Sequence, residues 1–404
     1  MIRPCLLLIV LGMTLLPAAA QFEDPLVWVR QFGTKEQDDA FAVYTDGENT
    51  YVAGYVTVYD KQAKFSRIEA LVTKFNDRGK ELWRRQYRAM LNLWATAVTG
   101  DDSGIYVAGY GMGNAYLRKF DHEGTELWNV PIGEYNTGDE VACGVARDDT
   151  GIYVTGYTTG IVDGPANAGG VDTFLVKCDH AGNLIWKRQW GTDGLDYAYG
   201  ISADAKGITI VGNLQKWQDS NFLADAFLVR YDLSGNVRWT RQFGSPEWDT
   251  AQAVTADRKR IFVVGDTNGT LTKKPNSGGS DGFIRCYDFD GEVLWTRAIR
   301  TRQDDTARGV AIYDGQVYVA GTTTGTFADQ ESYGMADGYL RCYDKFEGTQ
   351  EWTLQFGSPG YDTVRALSVK AGALAIAGQV ENAAMPRQHA IGAGDAFVIR
   401  AIID

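Results

Sequence analysis

The sequence is poor in the residues that common catalytic motifs use. Only 3 of its 404 residues are histidine, and it contains no His-x-x-x-His pair, no Cys-x-x-Cys pair and no Walker-type phosphate-binding loop. These absences exclude the usual signatures of zinc sites, thiol redox centres and nucleotide hydrolysis. The sequence therefore favours a non-enzymatic function, without excluding an enzyme.

Positive charge is also scarce. The chain has 39 Lys and Arg against 51 Asp and Glu, which gives a formal net charge of −12 at pH 7. Binding to nucleic acid or to an anionic membrane surface needs clustered cations, so the composition argues against both partners. A divalent cation or a neutral ligand is compatible with this charge.

Long hydrophobic runs are confined to the start of the chain. Arg3 precedes an apolar run over residues 6–16, and small residues follow at 18–20. This pattern is typical of a secretory signal peptide cleaved near Ala20, and the run is too short for a comfortable membrane span. We expect residues 1–20 to be a signal peptide and the mature protein to be secreted, periplasmic or on the cell surface, with no transmembrane segment.

Proline is scarce, whereas glycine and aromatic residues are abundant. The chain has 9 Pro and 47 Gly, and 12% of its residues are aromatic, which favours short strands joined by tight turns. Cysteines are few, and no pair falls on neighbouring predicted strands, so we expect free thiols rather than disulfides. The cysteines after the signal peptide are Cys143, Cys178, Cys286 and Cys342.

One phrase recurs along the whole chain. It consists of a strand-like segment, an Asp-x-x-Gly turn and a second segment with a tryptophan, as in YDLSGNVRWTRQF (231–243). Units of similar length indicate a repeat architecture. The tryptophan recurs at spacings of 45 to 58 residues, at Trp28, Trp83, Trp128, Trp186, Trp239, Trp295 and Trp352.

Each unit contains four strand-like segments. The first follows or starts with an acidic residue (DTAQAV, 249–254), the second ends in glycine (FVVG, 262–265), the third starts on a polar residue (DGFIRCY, 281–287) and the fourth carries the tryptophan. The chain opens on a fourth segment and closes after a third. We therefore predict an all-β fold over residues 21–404, a single seven-bladed β-propeller of four-stranded antiparallel blades. One N-terminal strand joins three C-terminal strands to close the ring.

The phrases W-x-R-Q-x-G-[TS], D-x-A, Y-V-x-G and D-[AG]-F resemble the bacterial SBBP-type β-propeller repeat, for example in WTRQFGS (239–245). This resemblance covers residues 21–404 and implies an exported or surface propeller, in a family mostly without assigned activity. The phrase YDLSGNVRW is also similar to the tryptophan-docking repeat of quinone-binding propellers, which usually hold the quinone against adjacent, disulfide-bonded cysteines. This chain has no adjacent cysteine pair, so we predict no organic cofactor and keep calcium as the metal hypothesis.

Two sets of acidic residues recur where strands begin, on the same face of the predicted propeller. Together they form either an acidic funnel for calcium or an amine-bearing ligand, or caps that accept hydrogen bonds from their own loops. Recurrence favours capping, because a cap must repeat with the blade and a binding residue need not. The first-strand set is Asp38, Glu140, Asp196, Asp249, Asp305 and Asp362, and the third-strand set is Glu69, Asp172, Asp225, Asp281, Asp337 and Asp395.

Aromatic residues outside the repeat are the remaining site candidates. Trp217, Trp248 and Tyr361 lie in or beside loops of this face, and Trp94 lies at the start of a first strand. Such side chains either stack on a sugar or peptide or anchor their loops.

Our leading functional hypothesis is an exported, non-enzymatic interaction module that binds a protein or glycan through its loop-rich face. The alternative is a secreted polysaccharide hydrolase or lyase that uses two of the carboxylates on that face.

Overall fold

The computed structural model describes residues 26–61, 64–89, 92–133, 138–164, 166–218 and 221–403. The predicted signal peptide lies outside these residues. Within them the secondary structure is entirely β, in 28 strands, and no helix is long and apolar enough to cross a membrane.

The strands fall into four classes by their position in a blade. The first strands of blades 1 to 7 are β2 (Asp39–Thr45), β6 (Leu93–Asp101), β10 (Glu140–Asp148), β14 (Leu195–Asp204), β18 (Asp249–Ala256), β22 (Asp305–Tyr313) and β26 (Tyr361–Lys370). The second strands are β3 (Thr50–Asp60), β7 (Gly104–Gly111), β11 (Gly151–Thr158), β15 (Gly207–Gln218), β19 (Arg260–Thr267), β23 (Gln316–Thr323) and β27 (Ala373–Glu381).

The outer half of each blade contains the third and fourth strands. The third strands are β4 (Phe65–Phe75), β8 (Asn114–Phe120), β12 (Asp172–Cys178), β16 (Asn221–Tyr231), β20 (Asp281–Asp288), β24 (Asp337–Asp344) and β28 (Gly394–Ile402). The fourth strands are β5 (Glu81–Tyr87), β9 (Glu126–Ile132), β13 (Leu184–Trp190), β17 (Val237–Phe243), β21 (Val293–Ile299), β25 (Gln350–Phe356) and, for blade 7, β1 (Leu26–Phe32).

Seven antiparallel sheets of four strands confirm the predicted propeller. Six blades use four consecutive strands, and in the seventh β1 pairs with β28 to give the order β1-β28-β27-β26. The first strands of successive blades contact one another around the ring and surround a central channel. Each blade buries one face against the next, because a four-stranded sheet cannot bury both faces alone. The hydrophobic clusters accordingly lie between neighbouring blades.

At five of the seven junctions, an arginine two residues after the recurring tryptophan joins its blade to the next. Trp83 Nε1 donates to the carbonyl of His122 at 2.9 Å, and Arg85 Nε donates to the carbonyl of Gly124 at 2.6 Å. The Arg85 guanidinium also lies 5.5 Å from the centre of the Trp83 ring. We call this arrangement the Trp–Arg contact. Its arginine–glycine hydrogen bond recurs at Arg30–Gly79, Arg85–Gly124, Arg188–Gly235, Arg241–Gly291 and Arg297–Gly348.

Glycine is needed in the hairpin that receives this contact. Gly348 has a φ of 64°, and a Cβ there would lie 2.6 Å from the ring of Trp295. A side chain would therefore strain the turn and displace the tryptophan of the preceding blade. The sequence predicted the hairpin glycine and the recurrence of the tryptophan; it did not predict that the two residues touch.

The described cysteines are unpaired, as expected. Cys178, Cys286 and Cys342 are buried, and Cys143 is partly buried. Burial raises the pKa of each thiol, to about 12 for Cys143 and Cys286, so these thiols are protonated at neutral pH.

Candidate functional site

One face of the propeller, here called the top face, carries the connections from fourth to first strand and from second to third strand. Isolated bridges join the two kinds of loop at blade junctions, for example Val171 with Leu195 and Ala336 with Tyr361. The loops of neighbouring blades therefore support one another. This arrangement places the sequence-derived site candidates on or just beneath a single face.

The first-strand acidic residues are buried and cap the loops that precede them. Ser358 donates to Asp362 from its backbone N–H at 2.6 Å and from its hydroxyl at 2.9 Å. Thr192 and Ser245 bind Asp196 and Asp249 in the same way. Burial raises the pKa of Asp38, Asp305 and Asp362 to about 6, although the hydrogen bonds oppose this rise.

The third-strand acidic residues accept a hydrogen bond from a recurring glutamine. The fourth-strand glutamine of the same blade donates to the carboxylate, as Gln355 does to Asp337 at 2.7 Å. A loop N–H also donates to the same oxygen, from Tyr333 at 2.9 Å. Equivalent glutamine bonds reach Asp172, Asp225 and Asp395.

The two acidic sets meet at the blade junctions. At Gly357, an added Cβ would approach both Asp337 of blade 6 and Asp362 of blade 7, and Gly33, Gly191 and Gly244 occupy the same position elsewhere. Within the described residues no group of three or more His, Cys, Asp or Glu side chains has a geometry that could hold a metal. The hydrogen bonds of both sets are those of local caps; calcium binding stays a prediction.

The structure separates the aromatic candidates into three places. Trp217 is 73% exposed and contacts Phe222, which in turn contacts Trp248, so these two predicted tryptophans share one top-face cluster. Tyr361 is exposed at another junction. Trp94 lies in the innermost strand of blade 2, where its ring stacks on Tyr110 with centroids 4.7 Å apart.

A β-bulge occurs at the same place in the first strand of every blade. In β22 the register shifts between Ala307 and Gly309, which leaves Arg308 as the extra residue. Since first strands surround the channel, the extra residues form a ring around it, which we call the channel ring. Its members are Phe41, Thr96, Cys143, Tyr199, Gln252, Arg308 and Arg365.

The recurring glycine of the second strand fits against this bulge. In blade 6 a Cβ at Gly321 would overlap the carbonyl oxygen of Thr306, and the corresponding glycine of every other blade has the same contact. The bulge and the glycine are therefore one backbone feature. The backbone repeats in seven blades, whereas the bulged side chain differs in nearly all of them.

Aromatic residues concentrate on the side of the channel formed by blades 1 to 4. Phe41 contacts Tyr55 with centroids 5.3 Å apart, and Tyr197 contacts Tyr157 at 4.8 Å and Tyr199 at 6.3 Å. These rings are partly exposed. Burial is the main cause that raises the pKa of Tyr55, to about 12, so this hydroxyl is neutral and able to donate hydrogen bonds at pH 7.

Blades 5 to 7 contribute charged groups to the channel. Arg365 donates from Nε and Nη2 to Asp39 Oδ2 at 3.1 and 2.9 Å. Arg308 lies 3.8 Å from the Asp266 carboxylate. Both arginine side chains are about one-third exposed, and the Arg365 guanidinium lies 5.9 Å from the centre of the Phe41 ring. The channel therefore offers partly exposed guanidinium groups beside an aromatic surface.

Sequence reasoning missed the channel ring, apart from Trp94 nearby. The signal was present in the D-x-A-x phrase, because its last position is the bulged residue. The alanine of this phrase pairs with the recurring glycine of the next strand. A small residue that pairs with a glycine of the neighbouring strand indicates that the two backbones approach closely. A bulge is one reason for such an approach, but the phrase alone does not say which side chain it turns toward the channel.

No known protein-family profile matches the chain. A curated relative, the regulatory protein FlaEY of Caulobacter vibrioides, is 27% identical over 187 residues, which is 41% of this chain and 19% of that protein. An uncharacterised WD repeat-containing protein, L264 of Acanthamoeba polyphaga mimivirus, is 24% identical over 157 residues, 31% of this chain and 11% of that protein. The chain thus spans a small part of each relative.

Solved structures match the chain over nearly its whole length. The WD40 β-propeller domain of Doa1 has a TM-score of 0.53 at 10% identity and covers 93% of this chain and 96% of its own. The β-propeller domain of the trilobed protease from Pyrococcus furiosus has a TM-score of 0.51 at 13% identity, with 90% and 97% covered. At these identities the likeness establishes the fold.

Proposed function

We propose that this chain is an exported, non-enzymatic interaction module that binds a protein partner on its top face, with the channel ring at the centre of the contact. The observation that carries the proposal is the channel ring itself. An identical bulge in seven blades presents side chains that differ from blade to blade, which is how a rigid scaffold provides a specific surface.

The surroundings of the ring support a protein partner. Apolar and aromatic side chains at least 40% exposed extend from top-face loops of six blades. Aromatic residues, methionine and arginine are the types enriched in protein interfaces. The exposed apolar residues of this face are Tyr59, Phe65, Met112, Ile161, Trp217, Tyr333, Met335, Tyr361 and Ile391.

The carboxylates of the two acidic sets give the enzymatic alternative little support. An acid and base for polysaccharide cleavage must reach the glycosidic bond, whereas Asp196, Asp249 and Asp362 are fully buried and occupied by loop hydrogen bonds. The relative named a regulatory protein and the WD40-type neighbour are compatible with an interaction role. The predicted signal peptide and the SBBP resemblance support the proposal of export.

Site-specific crosslinking tests which face is used. Benzoylphenylalanine at Trp217 on the top face should capture a partner in the producing cells, whereas the same group at Phe346, which is exposed in a hairpin of the opposite face, should not. The two positions carry exposed aromatic rings, so they differ mainly in the face. Equal capture at both positions, or capture only at Phe346, would refute the assignment of the top face.

The channel ring is then tested with the captured partner by calorimetry. Truncation of an interface hot spot costs about 2 kcal/mol or more, so Tyr199→Ala and Arg308→Gln should each raise Kd about thirtyfold. Phe346→Ala serves as the control and should leave Kd unchanged. If both ring variants bind like the wild type, the partner does not use the channel.

A further inference from the structure

A pocket of about 920 Å³ lies at the junction between blades 5 and 6, away from the channel ring. Three parts of the chain line it: the connection 300–303 between the blades, the top-face loop of blade 6 from 324 to 335, and side chains of β24 and β25. Its size suits a small ligand or one or two sugar units.

Three arginines line this pocket, namely Arg300, Arg302 and Arg341, and none of the described lining residues is acidic. The chain as a whole carries a formal charge of −12, so a pocket with three cations contrasts with the rest of the molecule. Cations that converge in a cleft with low-dielectric walls attract anionic ligands.

Arg341 lines the pocket with an unpaired hydrogen-bond donor. It is 7% exposed, its guanidinium lies 4.0 Å from the centre of the Phe327 ring, and its buried Nε atom has no hydrogen-bond partner. Arg285, the equivalent residue of blade 5, donates from Nε to the hydroxyl of Thr296 at 2.9 Å. A buried guanidinium with an unused donor is costly unless a ligand or water completes it.

The repeat is broken at this junction. Arg300 stands where five other junctions have Gly33, Gly133, Gly191, Gly244 or Gly357 and where the junction of blades 1 and 2 has Arg88. Ala298 replaces the glutamine that binds the third-strand carboxylate in four other blades. Arg300 Nη1 donates to the carbonyl of Pro275 at 2.5 Å. Burial raises the pKa of Asp281, and the charge of Arg300 opposes that rise.

Neutral polar groups surround the three cations. Gln303, Thr326, Ser332 and Gln350 line the pocket, and Met335 at its rim is 71% exposed. Hydroxyl and amide groups pair with sugar hydroxyls, and the exposed apolar side chain is available to cover the face of a sugar ring. This combination fits a polar ligand that carries one or more anionic groups.

We propose that this pocket binds an acidic saccharide, whose carboxylate or phosphate contacts Arg300, Arg302 and Arg341 and whose hydroxyls contact the neutral polar side chains. This role is separate from the protein-binding role proposed for the channel ring. The shared chemistry is an anionic oxygen group on a sugar, which a uronate and a sugar phosphate both supply.

Calorimetry with defined probes tests the proposal on the whole chain. Tetragalacturonate and glucose 6-phosphate represent the two anionic classes, maltotetraose and glucose are their neutral counterparts, and inorganic phosphate is the bare anion. We expect binding of at least one acidic sugar, with no binding of the neutral sugars and weaker binding of phosphate. The acidic sugar that binds identifies the anionic class. The proposal is overturned if neither acidic sugar binds, or if inorganic phosphate binds as tightly as the acidic sugars.

Substitutions localise the binding. Arg300→Gly installs the residue that the scaffold uses at other junctions, and Arg302→Gln changes an exposed side chain, so both variants should keep the wild-type melting temperature. Each should raise the Kd of the acidic sugar about tenfold or more, because a hydrogen bond to a charged group is lost. Lys35→Gln is the matched control, since Lys35 occupies the position of Arg302 at the junction of blades 7 and 1. An equal rise in Kd for Lys35→Gln would show that the overall charge of the protein attracts the sugar, and it would refute binding in this pocket.

Discussion

The Trp–Arg contact and the channel ring are both built on features that recur around the propeller, yet they differ in what recurs. In the Trp–Arg contact the side chains repeat, together with the hairpin glycine that receives them. In the channel ring the backbone bulge repeats in all seven blades, and the side chain that it displays changes from Phe41 to Arg365. Recurrent side chains therefore mark the contacts that hold blades together, whereas a recurrent backbone with variable side chains marks the surface available for recognition.

The largest expected effect is a loss of stability when a tryptophan of the Trp–Arg contact is truncated. Trp239 packs between blades 4 and 5 and donates from Nε1 to the carbonyl of Phe289 at 2.9 Å. Because Trp239→Ala removes a large packed ring and leaves a cavity, it should lower the free energy of unfolding by about 3 kcal/mol. Urea unfolding followed by circular dichroism measures this change.

Trp217→Ala is the control for this substitution, since it removes the same side chain from an exposed position of the top face. It should change the free energy of unfolding by less than about 0.5 kcal/mol. Similar losses for the two variants would mean that the recurrent tryptophan has no special role between blades.

This contrast also explains how far the sequence could be interpreted. The seven units, the four strands of each and the closure of the ring all followed from recurring residues, and the structure confirms them. The Trp–Arg contact was only half predicted, because the partner of Trp83 is a hairpin about 40 residues away and sequence spacing does not give the register between blades. The capping interpretation of the acidic residues relied on repetition alone, and the hydrogen bonds of Asp362 supply its physical basis.

The channel ring was harder to predict for a different reason. A β-bulge interrupts the simple alternation of side chains along a strand. An argument from alternation therefore assigns the side chains of Arg308 and Tyr199 to the wrong face of the sheet. The pocket between blades 5 and 6 is a further case, because Arg300 differs from the repeat at one position and its significance depends on Arg341, some 40 residues later. Both sites consist of departures from the pattern that identified the fold.

The next prediction concerns Arg365, a ring member paired with a buried carboxylate. Arg365 donates two hydrogen bonds to Asp39, which is buried and whose Oδ1 atom has no partner. Arg365→Met leaves this buried carboxylate uncompensated and should lower the free energy of unfolding by about 2 kcal/mol. Combining it with Asp39→Asn should recover part of the loss, as urea unfolding of the three variants can show.

Arg308→Gln provides the comparison within the ring. Arg308 lies 3.8 Å from the Asp266 carboxylate and its side chain is about one-third exposed, so its loss should change the free energy of unfolding by no more than about 1 kcal/mol. If both arginine variants destabilise the fold equally, the ring is part of the scaffold and the contrast between the two regions fails.

The smallest expected effect is a pH dependence of opposite sign at two aspartates. Burial raises the pKa of Asp362 to about 6. The unfolded carboxyl ionises near pH 4, so the folded state binds more protons between about pH 4 and 6, and stability from this group is lost as the pH rises through that window. Asp362→Asn should therefore gain stability relative to the wild type from pH 4 to 6.

Asp232, in the exposed hairpin of blade 4, should behave in the opposite way. The backbone N–H of Asn236 is the main cause that lowers its pKa, so its stabilising contribution is present above about pH 4 and is lost as the pH falls. The advantage of the wild type over Asp232→Asn should shrink below pH 4. Unfolding midpoints measured from pH 3 to 8 decide both cases. A difference between Asp362→Asn and the wild type that stays constant from pH 4 to 6 would mean that Asp362 is ionised and hydrated, as an acidic funnel requires and a buried cap does not.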